Sequence, residues 1–208
     1  MPRTGRPREF DVGEAVQQAM TLFWEQGYEA TSLTQLKASM GDISAASFYA
    51  AFGSKEALFR QVLDRYLQTH GQVTAPLFNE ALPPREAIER TLLGSARMQT
   101  DAAHPSGCLV VLSTIACSPE NRHLQARLLG ERQRNRAGLR ACMERAITEG
   151  ELRDPSDATA LAAMFDTFLA GLSMQARDGV PLAALEAGVR ALMTIWDAHA
   201  VQPARGVN

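Results

Sequence analysis

Apolar residues recur at spacings of three and four along almost the whole chain, and glycine or proline interrupts the pattern at intervals. This spacing is typical of amphipathic α-helices, whereas the alternation of apolar and polar residues that marks β-strands is nearly absent. The first predicted helix begins with an Asp11-x-x-Glu14 capping box and ends at Gly27. The hydrophobic pattern therefore predicts an all-α chain.

Residues 31–59 are the most informative segment, because they combine two short helices, a tight turn and the start of a third helix. Ser32 is the predicted N-cap of the first of these helices, and Gly41 ends it. Ser44 is the predicted N-cap of the next helix, whose Phe48 points into a core. The outward positions of that helix are Ala45, Ser47, Tyr49, Ala50 and Ala51. The segment predicts a DNA-binding helix-turn-helix.

The same periodicity predicts further helices downstream. The apolar run 107–117 is interpreted as a buried helix, because the sequence offers no partner strands for a sheet. The predicted helices span about 54–70, 84–103, 107–117, 119–150, 157–177 and 181–199.

The last two predicted helices carry more apolar surface than one partner can cover. The final helix has a coiled-coil-like seam of apolar residues, and the helix before it has a face of small residues where another backbone can approach closely. This pattern predicts a four-helix dimer interface. The residues assigned to it are Ala163, Gly171, Leu185, Val189, Leu192 and Trp196.

Composition narrows the classes of function. The 208 residues carry a formal net charge of -2, which argues against non-specific coating of nucleic acid and requires that positive charge for DNA be placed locally. No apolar run of about 18 residues and no charged-then-apolar leader are found, so we expect a cytoplasmic protein without membrane contact. The three cysteines lack C-x-x-C spacing, which disfavours a disulfide framework and a zinc site. No cofactor is expected.

The N-terminal third contains a series of residue types at set offsets over about 50 positions, which makes the pattern specific. These residues are Phe23 to Tyr28, Thr31-Ser32, Gly41, Tyr49 to Phe52 and Ser54 to Leu58. The series resembles that of the TetR family of bacterial repressors. The resemblance implies a helix-turn-helix DNA-binding domain at 1–68, with an N-terminal arm and a connecting helix, and a larger helical domain at 69–208 for effector binding and dimerisation.

The resemblance also assigns DNA contacts. Tyr49 is similar to the family tyrosine whose hydroxyl meets a phosphate, and Lys55 to the family lysine at the start of the fourth helix. Thr31 and Ser32, at a helix N-terminus, can likewise donate to a phosphate, although capping alone explains Ser32. The alternative interpretation is a surface tyrosine and a surface lysine without a role.

The recognition helix lacks the Arg, Lys, Asn and Gln side chains that usually read bases. The residues that it presents offer only hydroxyl and methyl groups, and they are Ser44, Ala45, Ser47 and Ala50. We therefore expect much of the specificity to come from DNA shape or from the N-terminal arm. Arg6 and Arg8 of that arm can enter a narrow minor groove, unless the arm is a solvated tail.

An effector pocket between the middle helices is a further implication of the resemblance. The predicted lining combines thioethers with aromatic and aliphatic side chains, each of which ordinary core packing explains individually. It comprises Met98, Cys108, Leu112, Ile115, Met143, Met164, Phe165 and Phe168.

Cys108 has a second interpretation. It follows Gly107 at the predicted N-terminus of a helix, where the helix dipole lowers the pKa of a thiol and favours a reactive thiolate. A thiol-based redox or electrophile sensor of the same fold is therefore an alternative function. The other interpretation of Cys108 is a small buried apolar residue.

These patterns together predict a ligand-responsive transcriptional regulator. We expect a TetR-type repressor that binds a palindromic operator in double-stranded DNA as a homodimer through its last two helices, and that a small-molecule effector releases. An enzyme is disfavoured, because the four histidines are scattered and neither a phosphate loop nor a G-x-S-x-G motif occurs. A helical protein–protein adaptor is the stronger rival from another class.

Overall fold

A computed structural model describes residues 11–113, 117–153 and 157–201. Within these ranges the chain forms α-helices and two short 3-10 segments, at His70–Phe78 and Pro119–Asn121, and no β-strand. The all-α prediction is confirmed. The helices are α1 (Val12–Ala30), α2 (Leu33–Ser39), α3 (Ala45–Phe52), α4 (Lys55–Gln68), α5 (Pro84–Thr100), α6 (Leu109–Leu112), α7 (Arg122–Thr148), α8 (Ala158–Arg177) and α9 (Leu182–His199).

The first helix is interrupted near its end. Gly27 has φ 80° and ψ 169°, so the regular backbone stops where the sequence predicts and one further turn follows to Ala30. A Cβ atom on Gly27 would lie 3.3 Å from the carbonyl oxygen of Ser113, and the backbone N–H of Tyr28 donates to that same oxygen at 3.2 Å. The kink therefore holds the end of α1 against the chain that follows α6.

The caps of the helix-turn-helix are those expected from the sequence. Ser32 Oγ accepts the N–H of Gln35 at 3.2 Å, and Gln35 Oε1 accepts the N–H of Ser32 at 2.8 Å, which completes a capping box. Ser44 Oγ accepts the N–H of Ser47 at 3.0 Å. Phe48 is buried, as predicted. The sequence therefore predicts both the start of α2 and the start of α3 to the residue.

The N-terminal part of the chain has its own hydrophobic cluster, built on α1 to α4 around Phe23, Trp24 and Phe59. The predicted boundary at 68 coincides with the end of α4 at Gln68. The cluster nevertheless continues across it, because it also contains Leu109 and Val110 of α6 and Leu124 and Leu128 of α7.

The second cluster joins α5, α7, α8 and α9, and it corrects part of the predicted dimer interface. The apolar seam of α9 faces α5 within the same protomer, so its side chains are already buried there. Assigning Leu185, Val189, Leu192 and Trp196 to a dimer interface is wrong for this reason. Ala163 stays exposed and Gly171 stays half-buried on the outer face of α8.

The apolar run from Gly107 onward is also less regular than predicted. Only Leu109–Leu112 form a helical turn, and residues 114–116 lie outside the described residues. Across the described ranges, no helix is long and apolar enough to cross a membrane.

Candidate functional site

The outward face of α3 is small and weakly polar. Ala45, Ser47 and Ala50 are exposed, and Tyr49 is exposed over 51% of its surface. The hydroxyl oxygens of Ser44 and Ser47 lie 2.9 Å apart, so the two hydroxyls form one hydrogen-bonded pair at the start of the helix. This face can offer methyl groups, a phenol and two linked hydroxyls to a groove.

Lys55 is the first residue of α4, the helix that follows α3 in the chain. Its Nζ is 4.3 Å from the centre of the Tyr28 ring, a cation–π geometry, and the side chain is half-buried. Burial lowers the pKa of Lys55, while the carboxylate of Glu29 acts in the opposite direction. The ammonium group is therefore held in place by the end of α1 rather than free to move.

Glu29, at the same end of α1, is fixed by hydrogen bonds. Its Oε1 accepts from the N–H of Ser118 and from Nδ2 of Asn121, both at 2.8 Å. These donors lower the pKa of Glu29 to about 2, the Asn121 bond being the larger cause. The carboxylate that acts on Lys55 is thus itself held by the segment immediately before α7.

The two residues that precede α2 differ in role. Thr31 is fully buried, and its Oγ1 donates to the carbonyl oxygen of Gly27 at 2.7 Å. Its side chain cannot reach a phosphate, so the predicted DNA contact of Thr31 is wrong. Ser32 is exposed, and its hydroxyl accepts the capping bond while its own proton stays available for donation. Arg6 and Arg8 lie outside the described residues.

A cavity of 410 Å³ lies between α4, the 3-10 segment at His70–Phe78, α5, α7 and α8. This volume falls within the range of about 300 to 1,000 Å³ usual for small-molecule sites. Its apolar walls include Leu67, Val73, Met98, Val110, Val111 and Leu169. Its polar walls include Gln99, Arg132, Asp166 and Ser173.

The predicted pocket residues separate into three groups. Met98 and Cys108 line the cavity. Ile115 lies outside the described residues. The remaining predicted residues do not line it, because they pack into the protomer core or against Gly107 and Gly188. The assignments that are wrong for this reason are Leu112, Met143, Met164, Phe165 and Phe168.

The polar residues of the cavity wall were not predicted from the sequence, although the spacing along α5 indicates one of them. Gln99 continues the spacing of the buried residues Ile88, Leu92 and Ser95 along α5, so a long polar side chain falls on an inward position. The Oε1 atom of Gln99 and the Oγ atom of Ser173 are both buried, and neither has a hydrogen-bond partner among the described residues. Buried polar atoms are normally paired, so each of these two atoms needs an explanation.

Arg132 is the other polar group that the sequence did not indicate. One Nη donates to the carbonyl oxygen of Val110 at 2.8 Å, and within the described part of the chain no carboxylate lies within 4.0 Å of its guanidinium. Burial lowers the pKa of Arg132. The neighbouring Arg136 is paired with Asp166 at 2.8 Å. Arg132 therefore brings to the cavity wall a positive charge without a direct ion pair in the described part of the chain, although the carboxylate of Asp166 acts on it from a greater distance.

Cys108 does not have the environment that the sequence suggested. The hydroxyl of Tyr66 donates to its Sγ at 3.3 Å, and the adjoining helix α6 is a single turn. Burial is the largest influence and raises the pKa of the Cys108 thiol. The prediction of a lowered pKa is therefore wrong, while the position of Cys108 on the cavity wall agrees with the predicted lining.

Residues 104–113, which we name the junction segment, touch both the N-terminal helices and the cavity. Trp24 Nε1 donates to the carbonyl oxygen of Gly107 at 3.1 Å, and the ring of His104 stacks on that of Trp24 with centres 4.5 Å apart. Arg177 of α8 donates to the carbonyl oxygens of Trp24, Glu25 and Ser106. A movement of this segment would therefore reach α1 directly.

Comparison with known proteins matches both halves of the chain to one family. Residues 15–62 match the bacterial regulatory proteins of the tetR family, and residues 86–192 match the tetracyclin repressor-like C-terminal domain. The HTH-type transcriptional repressor ComR of Escherichia coli is 32% identical over 193 residues, which cover 92% of this chain and 91% of ComR. The repressor BdcR of the same organism is 29% identical over 175 residues, covering 84% and 83%.

A solved structure of similar fold contains DNA. It is a cysteine mutant of the TetR-family regulator CifR in complex with 26-base-pair operator DNA, with 40% sequence identity and a TM-score of 0.82. The match covers 92% of this chain and 100% of the CifR chain.

Proposed function

This chain belongs to the TetR family of bacterial regulatory proteins, and we propose that it represses transcription by binding a palindromic operator in double-stranded DNA as a homodimer. The observation that carries this proposal is the exposed α3, with Tyr49 on its outer face and Lys55 held beside it. The relatives ComR and BdcR are repressors, and CifR is seen on operator DNA.

In this proposal α3 enters the major groove of each half-site. Its hydroxyl and methyl groups provide limited reading of bases, so sequence-dependent DNA shape supplies much of the selectivity. Tyr49, Lys55 and Ser32 contact phosphates and fix the register of the helix on the duplex. Two successive half-sites lie about one DNA turn, or a small multiple of it, apart.

Dimerisation uses the outer faces of α8 and α9. One helix-turn-helix makes few contacts, so tethering two of them raises operator affinity through effective concentration. The apolar seam of α9 is already buried inside the protomer, so we assign the interface to small residues, exposed or half-buried, on the outer faces of α8 and α9. These are Ala163, Thr167 and Gly171 of α8 and Ala187, Ala191 and Thr194 of α9.

The cavity is the proposed effector site. Its walls include Gln99 and Cys108, which flank or belong to the junction segment, and that segment contacts α1 through Trp24. A bound molecule that shifts the segment would change the position of α1 and hence the distance between the two α3 helices of the dimer. Operator affinity would fall, which is a coupling between two separate sites.

The test is a gel shift with the DNA upstream of the gene, combined with light scattering of the free protein. We expect a dimer that binds this DNA with an affinity that falls steeply as salt rises, because phosphate contacts release counterions. A protein that binds no such DNA, or that binds it as a monomer, would contradict the proposal.

A thiol-based sensor is the second candidate function. The observation in its favour is the position of Cys108 on the wall of the cavity, where a reactive effector would meet Sγ. Because burial raises the pKa of this thiol, such sensing requires an effector that reacts with a thiol of low acidity.

A further inference from the structure

Two unpartnered polar atoms identify one end of the cavity. Gln99 is 3% exposed and Ser173 is fully buried, yet Gln99 Oε1 and Ser173 Oγ have no hydrogen-bond partner within the part of the chain that the structure describes. Both residues line the cavity. Folded proteins leave few such atoms unpaired, because a lost water partner has to be replaced. A ligand that donates to one atom and accepts from the other would satisfy both.

The two residues meet at the same point of the backbone. The N–H of Gly107 donates to the carbonyl oxygen of Gln99 at 2.9 Å, and a Cβ atom on Gly107 would lie 3.0 Å from the carbonyl oxygen of Ser173. We infer that Gln99 on α5 and Ser173 on α8 form one polar end of the cavity, because their backbones meet at Gly107 and both residues line the cavity. A hydroxyl group suits this end, since it donates to an amide oxygen and accepts from a serine.

A positive charge on α7 contributes to the same cavity. The guanidinium of Arg132 has five N–H donors, of which one is used on the carbonyl oxygen of Val110. Arg136 is neutralised by Asp166, and Arg134 is exposed with its guanidinium stacked on the Phe78 ring at 4.1 Å. Arg132 is thus the half-buried guanidinium that lacks a carboxylate among the described residues, and a single negative charge would match it.

The rest of the cavity is apolar. Leu67, Val73, Met98, Val111 and Leu169 line it, so a hydrocarbon chain is favoured beside the polar groups. A wholly apolar guest would leave Gln99, Ser173 and Arg132 desolvated and unpaired. A small hydrophilic anion would leave these apolar walls without contacts.

We propose that the cavity binds an amphipathic hydroxycarboxylic acid, with its carboxylate on Arg132, its hydroxyl between Gln99 and Ser173, and its hydrocarbon chain along the apolar walls. The proposal rests on the effector role given to this cavity above. Bidentate pairing with a carboxylate uses the planar fork of the guanidinium, and the hydroxyl gives both orphaned atoms a partner.

The experiment measures binding to the full-length protein without DNA by calorimetry, with three ten-carbon probes. They are 3-hydroxydecanoate, decanoate, which lacks the hydroxyl, and 1,3-decanediol, which lacks the charge. We expect 3-hydroxydecanoate to bind at least about tenfold more tightly than either of the other two, because sites built to pair a polar group reject analogues without it. Equal dissociation constants for the three probes, or no binding of 3-hydroxydecanoate, would overturn the proposal.

Two variants test which residue produces each binding preference. Arg132→Gln should abolish the preference for the acid over the diol, whereas Arg140→Gln, on the same helix but outside the cavity, should leave it unchanged. Ser173→Ala should abolish the preference for the hydroxy acid over decanoate, and thermal unfolding checks that it remains folded. If Arg140→Gln alters the preference as much as Arg132→Gln does, the placement of the carboxylate is wrong.

Adding operator DNA separates this proposal from the proposed function. If the probes show the expected order of affinity but release no DNA, the ligand class stands and the effector role fails. If the protein binds and releases DNA while the three probes bind equally, the ligand class fails and the regulator stands.

Discussion

The indole Nε1 of Trp24 donates to the carbonyl oxygen of Gly107 at 3.1 Å, across 83 positions of the chain. Trp24 belongs to the helix that precedes the helix-turn-helix, and Gly107 belongs to the junction segment beside Gln99 and Ser173. We expect a group bound between those two side chains to act on the backbone that Trp24 holds. This bond is therefore a direct structural link between the cavity and the helices of the proposed DNA-binding face.

Gly107→Ala should damage this link. Gly107 has φ +85°, and an added Cβ would lie 2.5 Å from Leu112 Cδ1 and 3.0 Å from the carbonyl oxygen of Ser173. We expect the free energy of unfolding to fall by about 2 kcal/mol or more, because left-handed backbone alone costs about 1–2 kcal/mol for a residue with a side chain. Urea denaturation measures it. Gly130→Ala is the matched control, since nothing lies within 4 Å of its Cβ, and it should stabilise α7 by about 0.5–1 kcal/mol. A Gly107→Ala protein as stable as the parent would contradict the close contact.

Lys55→Ala should weaken operator binding to a similar extent for all operator variants. Its ammonium group is one of the proposed phosphate contacts, so the slope of log affinity against log salt should flatten by about one unit. Gel shifts at several salt concentrations measure this slope. Arg140→Ala removes a positive charge from a distant face of α7 and should leave the slope as in the parent. A parental slope in Lys55→Ala would show that Lys55 does not contact DNA.

Thr31→Val and Ser32→Ala should distinguish a residue that only stabilises the fold from one that also contacts DNA. Thr31 is buried with its hydroxyl on Gly27, so Thr31→Val should lower stability by about 1 kcal/mol and leave the operator affinity of the folded protein unchanged. Ser32→Ala loses the α2 cap and the exposed donor, so both stability and operator affinity should fall. Thermal unfolding and gel shifts on the same samples make the comparison. A Thr31→Val protein of full stability and weak DNA binding would reverse this assignment.

The thiol of Cys108 should react slowly at neutral pH. Burial raises its pKa from the ordinary value of 9.0, so the thiolate fraction at pH 7 is smaller than that of a free cysteine. Alkylation by iodoacetamide should accelerate about tenfold per pH unit below the pKa. The measurement uses a protein in which Cys117 and Cys142 are replaced. Tyr66→Phe removes the hydrogen bond that lowers this pKa, and should slow the reaction further.

Two outcomes would change the interpretation of Cys108. Fast alkylation that does not vary between pH 6 and pH 8 would mean a thiolate, contrary to its environment. Release of operator DNA by an electrophile from the parent, but not from Cys108→Ser, would favour the thiol-based sensor over a reversible effector.

Gly171→Arg should convert the dimer into a folded monomer. Gly171 is on the outer face of α8, and a Cβ atom added to it would meet no atom within 4 Å, so the protomer tolerates a side chain there while the proposed interface does not. Operator affinity should fall although every DNA-facing residue is intact. Gly130→Arg, on exposed α7, should remain dimeric. Light scattering and gel shifts decide the matter, and a dimeric Gly171→Arg protein would place the interface elsewhere.

Local chemistry made the helix starts predictable. Ser32 and Ser44 each accept a hydrogen bond from an N–H three residues on, a relation that depends on a few neighbouring residues. The partner against which the apolar seam of α9 packs was not predictable in this way. Spacings of three and four indicate that Leu185 and Val189 are buried, but they do not distinguish burial against α5 of the same chain from burial against a second copy.

A pocket was predicted from the sequence, but most of the residues assigned to its lining were wrong. Thioethers and aromatics are adaptable, which made Met143 and Phe165 reasonable candidates, yet both lie wholly inside the core. The spacing along α5 marks Gln99 as an inward polar residue, but the unpaired atoms of Gln99 and Ser173 appear only when α5 and α8 pack side by side. Such a deficit depends on tertiary structure, and no local pattern records it.

The hydrophobic cluster of the N-terminal part has a consequence for protein engineering. Because Leu109 and Leu128 complete the core around Phe23 and Trp24, a fragment that ends at 68 would expose part of that core to water. Grafting α1 to α4 onto the C-terminal part of another regulator would place the same side chains against foreign ones. A working chimaera of this protein therefore has to carry the chain from the junction segment through Leu128 together with its DNA-binding helices.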